Sequence, residues 1–189
     1  HERSSAASDV YKRQGVNITT FKGDAGCPDH VFPNWFTTFE DGTMPIFPMK
    51  AKNRRLEKNP SMINTLSRHY ELSDDLSHFE DKDTFLESTS SMVFDRVHNV
   101  AYITLSPRAD KTLAREWCKK NKFFPMIFET QSHTGSPIYH TDVLMYVGTG
   151  MIGICLEVIT EKYRDQVESM VKQHHDIMAV SYTHLRAHE

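Results

Sequence analysis

The sequence predicts an α/β fold in which one structural unit occurs three times. Each unit has the order strand, strand, helix, and a further strand follows the helix in the second and third units, which gives about three ββαβ modules. The units begin near residues 31, 91 and 141, roughly 50–60 residues apart. An internal repeat with this spacing favours a radial or stacked arrangement of modules over one continuous sheet.

The first unit begins with the apolar stretch VFPNWFTTFE, followed by the Asp-Gly turn at 41–42 and a second strand, MPIFPM. A helix is predicted from about residue 53 to residue 69. It is expected to break or restart at Asn59-Pro60, because these residues form a good N-cap and first-turn pair. The acidic stretch ELSDDLSHFEDKD that follows predicts a surface loop.

The second and third units are more regular than the first. The second has the strands SMVFDRV and VAYITLS, a helix over KTLAREWCKKNK that Asp110 caps, and the strand FFPMIFE. The third has the strands YHTDVLMYVG and MIGICLEVI, a helix over EKYRDQVESMVKQHH that begins after Thr160, and the incipient strand DIMAV. Leu113, Trp117 and Cys118 form one apolar stripe, so this helix is expected to pack on a sheet.

The composition excludes several classes of protein. The chain is 39% hydrophobic and 25% charged, with a formal net charge of −3. No apolar run reaches the ~20 residues that span a bilayer, and a nucleic-acid-binding protein would normally carry a basic stripe. The three cysteines lack the spacing of a disulfide framework. We therefore predict a cytoplasmic protein that binds neither membrane nor nucleic acid.

The two ends of the chain differ from the rest. The segments HERSSAASDVYKRQ and SYTHLRAHE show neither periodicity nor a capping pattern, and they resemble translated adapter sequence. We predict that segments 1–14 and 181–189 are non-native and that residues 15–180 form one domain. The natural protein is expected to extend beyond both segments.

Four ionisable side chains interrupt the predicted strands or their ends. Glu87 stands at a strand end before a run of small residues, which leaves room for a ligand, although a solvated loop glutamate is the structural alternative. His140 and Asp142 lie on the same face of a predicted strand, about 7 Å apart; a satisfied strand-edge histidine is the alternative here. Arg108 comes just after a strand, where a surface arginine could simply support the turn.

These residue types suit a substrate that carries a guanidinium group. Carboxylates hold this flat cation with paired, charge-assisted hydrogen bonds. A histidine can protonate a departing amine and then activate water, and an arginine can pair with the carboxylate of an amino-acid substrate. Asp29 and Asn34 flank another strand entrance beside aromatic residues and are further polar candidates.

The chain lacks a convincing nucleophile, which for attack on a guanidinium carbon is typically a thiolate. Cys155 lies in an apolar strand and Cys118 on the apolar side of a helix, so both indicate packing. Cys27 lies in a loop without an evident activating base. A metal site is not indicated either, because the adjacent His174 and His175 diverge by about 100° on a helix. Within residues 15–180, no Cys-x-x-Cys or His-x-x-x-His spacing occurs.

Three stretches together resemble a known family. PDHVFPNWFTTFEDGTMPIFPMKAKNRRLE, FLESTSSMVFDRVHNVAYITLSPRAD and PIYHTDVLMYVGTGMIGICLE are similar to the amidinotransferase-like proteins that include citrulline utilisation hydrolases. These belong to the guanidino-group-modifying superfamily, with arginine deiminases and dimethylargininases. The resemblance covers about residues 25–180. It implies a partial five-module α/β propeller of pentein type, with the active site at the central axis and three modules present here.

The resemblance also implies roles for individual residues. His140 matches the catalytic histidine, and Glu87 matches the acidic residue that contacts the guanidinium group and supports catalysis. Asp142 matches the second carboxylate of a His-x-Asp pattern, and Arg108 a position that binds the substrate carboxylate. Substrate contacts are further implied at two residues of the first unit, Asn34 and Asp29.

Three departures from the family pattern stand out. One asparagine of the Phe-Pro-Asn-Asn-Trp segment is absent, so the register of Asn34 and Asp29 against that segment is open by one residue. Ser88 and Ser90 replace glycines. The family's nucleophilic cysteine is expected beyond Val180.

The resemblance implies a hydrolase that acts on a C–N bond of a guanidino or ureido amino acid through a Cys-His-acid mechanism, without a metal or organic cofactor. Two alternatives stay open. A related enzyme could transfer an amidino group to an amine instead of to water, or a non-catalytic member could use the same scaffold to bind ligands. Relatives commonly dimerise, so a homodimer is a further expectation.

Overall fold

The structure is a computed structural model and describes residues 6–27 and 29–182 of the chain. The described helices and strands are, in order, α1 (Ala6–Arg13), β1 (Thr43–Ile46), α2 (Lys52–Arg55), α3 (Pro60–Leu66), β2 (Glu71–Asp75), α4 (Ser88–Ser91), β3 (Met92–Asp95), β4 (Val100–Thr104), α5 (Lys111–Lys120), β5 (Phe124–Phe128), β6 (Met145–Gly148), β7 (Met151–Ile154), α6 (Glu161–Lys172) and β8 (Asp176–Ala179). Short 3₁₀-helices cover Ser77–Lys82, Thr141–Val143 and Leu156–Val158. No helix in the described ranges is both long enough and apolar enough to cross a membrane.

The strands form three separate sheets, and each sheet belongs to one module. In module 2 (residues 92–128), β3 and β4 form an antiparallel hairpin, and β5 returns parallel to β4 after α5. Module 3 (residues 145–179) repeats this topology with β6, β7, α6 and β8. In module 1 (residues 36–75), β1 and β2 are parallel. The molecule is thus a mixed α/β fold of three similar modules, and no sheet closes on itself within the described residues.

The first module differs from its prediction at two places. The expected strand VFPNWFTTFE is reduced to a single antiparallel bridge between Phe36 and Ile46. The acidic stretch predicted as a loop instead forms β2 and a 3₁₀-helix. Four of the five residues of β2 are exposed, so the strand carries no apolar pattern, and its parallel pairing with β1 is what holds it.

The third module corrects a further expectation. The stretch YHTDVLMYVG was predicted as a strand from its first residues, but β6 begins only at Met145, and Thr141–Val143 is a 3₁₀-helix. The hydroxyl group of Thr141, which is fully buried, donates to the carbonyl of Ser91 at 2.6 Å and accepts from the amide of Thr104 at 2.9 Å. These contacts tie the turn to module 2, so strand alternation does not decide where His140 and Asp142 point.

The predicted helix starts are confirmed. Asn59 caps α3 by accepting from the Ser61 amide at 2.8 Å, and α6 begins directly after Thr160. Asp110 Oδ1 accepts from the Leu113 amide at 2.8 Å at the start of α5.

The central module is buried on both faces of its sheet. Every residue of β4 is buried. Val100 and Tyr102 pack with module 3, whereas Ala101 and Ile103, on the opposite face, pack with α5 and its Trp117. This alternation of apolar residues on both faces fixes module 2 between its own helix and module 3.

Helix α1 lies within the terminal segment that we predict to be non-native. Its residues from Val10 to Arg13 are exposed. Residues 1–5 and 183–189 lie outside the described part of the chain, so the prediction for segments 1–14 and 181–189 stays a prediction.

Replacing Asp110 by Ala is expected to lower the free energy of unfolding by about 1 kcal/mol, because the first turn of α5 loses its side-chain cap. Urea unfolding of the purified protein measures this change. Thr160→Ala is the matched control, since Thr160 precedes α6 but makes no capping hydrogen bond. An equal loss in the two variants would argue against a capping role for Asp110.

Candidate active site

A cleft of about 700 Å³ opens between module 1, module 2 and the segment that leads into module 3. Polar groups from separate parts of the chain face it. The lining residues that matter here are Asp29, Asn34, Arg54, Ser90, Arg108, Tyr139, His140 and Asp142. A cleft of this size suits a small-molecule ligand.

Glu87 is completely buried next to this cleft and makes contacts with three groups. Its Oε2 lies 2.6 Å from His140 Nε2. The backbone amide of Lys50 donates to Oε1 at 2.9 Å, and Arg108 Nη1 lies 3.1 Å from both carboxylate oxygens. A buried carboxylate is tolerated when it is paired and hydrogen-bonded in this way.

These contacts hold Glu87 in its ionised form. Burial by itself would raise the pKa of the carboxyl group. The hydrogen bonds from His140 and the Lys50 amide, together with the charge of Arg108, outweigh burial, so the pKa of Glu87 is lowered below its ordinary value. Glu87 is therefore a fixed negative charge behind the imidazole ring.

A strained turn positions Glu87. Ser88, the next residue, has a φ of +43°, which a residue with a side chain rarely adopts. The Glu87 amide donates to Ser91 Oγ at 3.0 Å, and Ser91 Oγ donates to the Arg108 carbonyl at 2.8 Å. The turn is thus anchored to the segment that carries Arg108.

His140 is buried at the floor of the cleft, and its ring lies 4.8 Å from that of Tyr139. Asp142 lines the same cleft, and its side chain is open to the solvent in the cleft.

The walls of the cleft still displace much of the bulk water around the Asp142 carboxyl group, and this desolvation raises its pKa. A hydrogen bond from Ser90 and the charge of His140 counteract the rise. The two carboxylates are therefore unlike: Glu87 is held charged, and Asp142 gains a proton more readily.

A buried arginine supports the wall that module 1 contributes. Arg54 Nε donates to Glu57 Oε1 at 2.9 Å, and both residues are buried. With the Asn34 amide assigned the orientation in which its oxygen faces a donor, Arg54 Nη1 donates to the Asn34 side-chain oxygen at 3.1 Å, and the Asn34 side-chain nitrogen donates to Ser90 Oγ at 2.8 Å. Asn34 is thereby held in place between Arg54 and the turn that follows Glu87.

None of the three cysteines lines this cleft. All are free and buried. Burial raises the pKa of Cys27, and the nearby carboxylates of Glu57 and Asp24 raise it further. Burial also raises the pKa of Cys155, and that of Cys118 to about 12. None is a thiolate at neutral pH, as the sequence indicated.

The fold brings together all six residues that the sequence selected. Five line the cleft, and Glu87 contacts two of these five. Sequence reasoning noted Ser90 only as a replacement of a family glycine, and it missed Arg54 and Tyr139. Only Arg54 had a usable signal, because an Arg–Glu spacing of three residues on a helix favours a pair.

Comparisons with known proteins identify a family and a shared fold. A family model described as eukaryotic N,N-dimethylarginine dimethylhydrolase matches residues 2–189. Among solved structures, the N-terminal domain of ArgZ, an arginine dihydrolase of cyanobacteria, superposes with a TM-score of 0.70 at 14% identity, over 90% of this chain and 60% of that one. Unliganded AgrE superposes with a TM-score of 0.73 at 13% identity, over 94% of this chain and 25% of AgrE. A dimethylarginine dimethylaminohydrolase superposes with a TM-score of 0.63 at 15% identity, over 93% of this chain and 66% of that one.

At these identities the solved structures show a shared fold only. This chain spans about 60% of the length of the ArgZ domain. No curated protein gives a significant match.

Proposed function

This chain belongs to the eukaryotic N,N-dimethylarginine dimethylhydrolase family, and we propose that the whole protein hydrolyses a C–N bond of a guanidino or ureido amino acid. The buried contact between Glu87 and His140, at the floor of a cleft that Asp142 lines, carries this proposal. In this contact the negative charge of Glu87 fixes the position of the His140 imidazole. A positioned imidazole is what proton transfer to a leaving amine requires.

The contact between Arg108 and Glu87 supports recognition of a guanidinium group. One nitrogen of the Arg108 guanidinium lies at equal distance from both Glu87 oxygens, 3.1 Å. A substrate guanidinium would compete for the same carboxylate. Arg108 would then turn to the substrate's own carboxylate, and its partly exposed side chain leaves room for this movement.

In the proposed reaction, a cysteine attacks the central carbon of the substrate. His140 first protonates the departing nitrogen and then deprotonates the water that releases the product. Cysteine-replaced forms of ArgZ and AgrE hold substrate and L-arginine respectively, and a further ArgZ variant holds a covalently bound reaction intermediate. These structures support a cysteine nucleophile. Since the cysteines of this chain lie away from the cleft, we assign the nucleophile to a part of the protein beyond these residues.

We further propose that the three modules are three-fifths of a five-module α/β propeller with the cleft at its axis. The repeated module topology and the 60% coverage of the ArgZ domain support this arrangement. The cytoplasmic location and the homodimer remain predictions.

Product analysis tests the proposed reaction. The full-length protein, which would supply the nucleophile, is incubated with L-arginine, a methylated arginine or citrulline, and we expect release of ammonia or a methylamine without any amine acceptor. A product that forms only when an amine acceptor is added would indicate the amidinotransferase alternative instead. Binding of these compounds without turnover would favour the non-catalytic alternative.

Asp142→Asn is expected to raise KM for a cationic guanidino substrate by roughly 10-fold or more, because a charge-assisted hydrogen bond is lost. KM for citrulline, whose ureido group is neutral, should change little. As the pH falls, Asp142 of the wild-type protein takes up a proton and the protein should lose affinity for the cation. Because the pKa of Asp142 is raised, this loss should begin at a higher pH than it would for an ordinary aspartate. In Asp142→Asn the loss of affinity at low pH should be smaller.

Steady-state kinetics with both substrates over a pH series measure these changes. Asp165→Asn on the exposed side of α6 is the matched control, since it removes the same charge away from the cleft. An equal rise of KM for both substrates would contradict a role for the Asp142 charge.

A further inference from the structure

A second cluster of titratable side chains lies outside the cleft, where the β3–β4 turn meets the segment after α6. Asp95 Oδ2 lies 2.8 Å from His98 Nδ1 and 2.6 Å from His175 Nε2. One potential ligand atom from each of these residues lies within 4.8 Å of the other two. Asp95 and His175 are 80 residues apart in the sequence, so no spacing pattern could indicate the cluster.

The cluster is built into the protein rather than spread over its surface. The side chains of Asp95 and His175 are 2% and 5% exposed, and that of His98 is 29% exposed. Asp95 Oδ1 accepts from the amides of Val97 and His98, at 3.2 and 3.1 Å. These bonds fix the carboxylate and direct Oδ2 to the two imidazole rings.

The chemistry of these groups matches that of a divalent transition metal. One carboxylate and two imidazoles form a common three-ligand protein set for Zn²⁺, with solvent as the fourth ligand. His175 and His174 also follow the C-terminal end of α6, where the helix dipole favours a cation. His98 is partly exposed, which gives an entry path and a position for the solvent ligand.

We propose that Asp95, His98 and His175 bind one Zn²⁺ ion that links module 2 to the segment following α6. Zinc bonds of about 2.0–2.2 Å in a tetrahedron separate the ligand atoms by roughly 3.3 Å. The present separations from Asp95 Oδ2 are 2.8 and 2.6 Å, so the imidazoles must move outward by roughly half an ångström on metal binding. His98 has the freedom to do so because its ring has an exposed side.

The neighbouring rings restrict which residues take part. His174 is exposed and stacks on His98, with ring centroids 3.9 Å apart and planes at 7°. This stacking supports the His98 ring, and the proposed Zn²⁺ site does not need His174 as a ligand. Nδ1 of His175 has no hydrogen-bond partner among the described residues, so the Asp95 oxygen and the edge contact with the His98 ring orient His175 within the cluster.

Titration of Zn²⁺ into the purified protein by calorimetry tests the proposal, with Co²⁺ absorption as a second measurement of the ligand geometry. We expect one equivalent to bind to the wild-type protein with a tetrahedral Co²⁺ spectrum. His98→Ala and Asp95→Asn should each weaken this binding by roughly 100-fold or more. The asparagine keeps an acceptor for the two loop amides, so the second variant leaves the turn intact.

The metal should also stabilise the wild-type fold, since its ligands come from separate segments. Saturating Zn²⁺ is expected to raise the midpoint of thermal unfolding by roughly 5–10 °C, and His98→Ala should abolish this shift. His140→Ala serves as a control for metal bound in the cleft, and His69→Ala for metal bound at an exposed histidine. Both should retain the bound equivalent and the thermal shift.

Either of two results would overturn the proposal. One is the absence of a tightly bound equivalent in the wild-type protein. The other is an equivalent that His98→Ala and Asp95→Asn leave unchanged, which would place the metal elsewhere. Neither result would bear on the hydrolase, whose residues the cluster does not include.

Discussion

In the full-length protein, His140→Ala is expected to reduce turnover of guanidino substrates by about 10²–10⁴-fold, the range that general acid–base catalysis contributes. The imidazole is the proton carrier in the proposed reaction, and no other histidine lines the cleft in the described ranges. The fold should persist, because Glu87 keeps the Lys50 amide and Arg108 as partners. Steady-state kinetics, together with circular dichroism, measure both effects.

His78→Ala is the matched control for this variant. His78 is exposed and stacks on Phe79, away from the cleft. Its loss should leave turnover unchanged. Equal turnover in the wild-type and His140→Ala proteins would refute the role assigned to His140.

Glu87→Gln is expected to reduce both turnover and stability. The amide cannot hold His140 and Arg108 as a carboxylate does. Loss of the buried carboxylate that orients a catalytic histidine reduces turnover by roughly 10³–10⁴-fold in other enzymes. Removing one partner of a buried pair lowers the free energy of unfolding by about 3–5 kcal/mol, and we expect the low end, since Arg108 can reach solvent.

The stability that Glu87 provides should depend on pH with a definite sign. Its pKa in the folded protein lies below the ordinary value of 4.5, so the unfolded chain takes up the proton first as the pH falls. The stabilisation is therefore fully present above about pH 4.5 and is lost as the pH falls through the lower, folded-state value. The difference in free energy of unfolding between wild type and Glu87→Gln should shrink over that interval, as measured by urea unfolding in a pH series.

Glu80→Gln is a close control, because Glu80 accepts a hydrogen bond from the backbone amide that directly precedes the one bound by Glu87. The Met49 amide donates to Glu80 Oε1 at 2.7 Å, just as the Lys50 amide donates to Glu87 Oε1 at 2.9 Å. Lys58 pairs with Glu80, but no histidine does so among the described residues. Glu80→Gln should therefore lower stability without a comparable loss of turnover. Similar turnover losses in the two variants would indicate a structural role only.

Local signals were sufficient for the regular parts of the fold. Asp110 and Asn59 carry their cap signals in the sequence, and the apolar stripe of α5 is continuous, so both helix starts could be predicted. The strand β2 could not be predicted, because its residues are polar and exposed and a parallel partner distant in sequence defines it. Tertiary pairing decided that element, and propensity did not.

The candidate site was likewise predictable in its residue types but not in its long-range contacts. The sequence selected Glu87 and His140 from residue type and family resemblance, but their 2.6 Å contact joins residues 53 positions apart. The buried partner Arg54 was missed because its spacing of three residues from Glu57 indicates an ion pair but does not tell a buried pair from an exposed one. The expected strand geometry for Asp142 was wrong, because the contacts of Thr141 with module 2 produce a turn there.

The division of the fold into three sheets has a consequence for inherited or engineered variation. The walls of the cleft come from different modules and from the segments that connect them, and in the described ranges no strand continues from one sheet to the next. A substitution at a seam, such as the one that the Thr141 hydroxyl bridges, can tilt one wall while every helix and strand stays intact. Such a protein would look native by its spectrum and yet be catalytically silent, although Thr141 itself does not line the cleft.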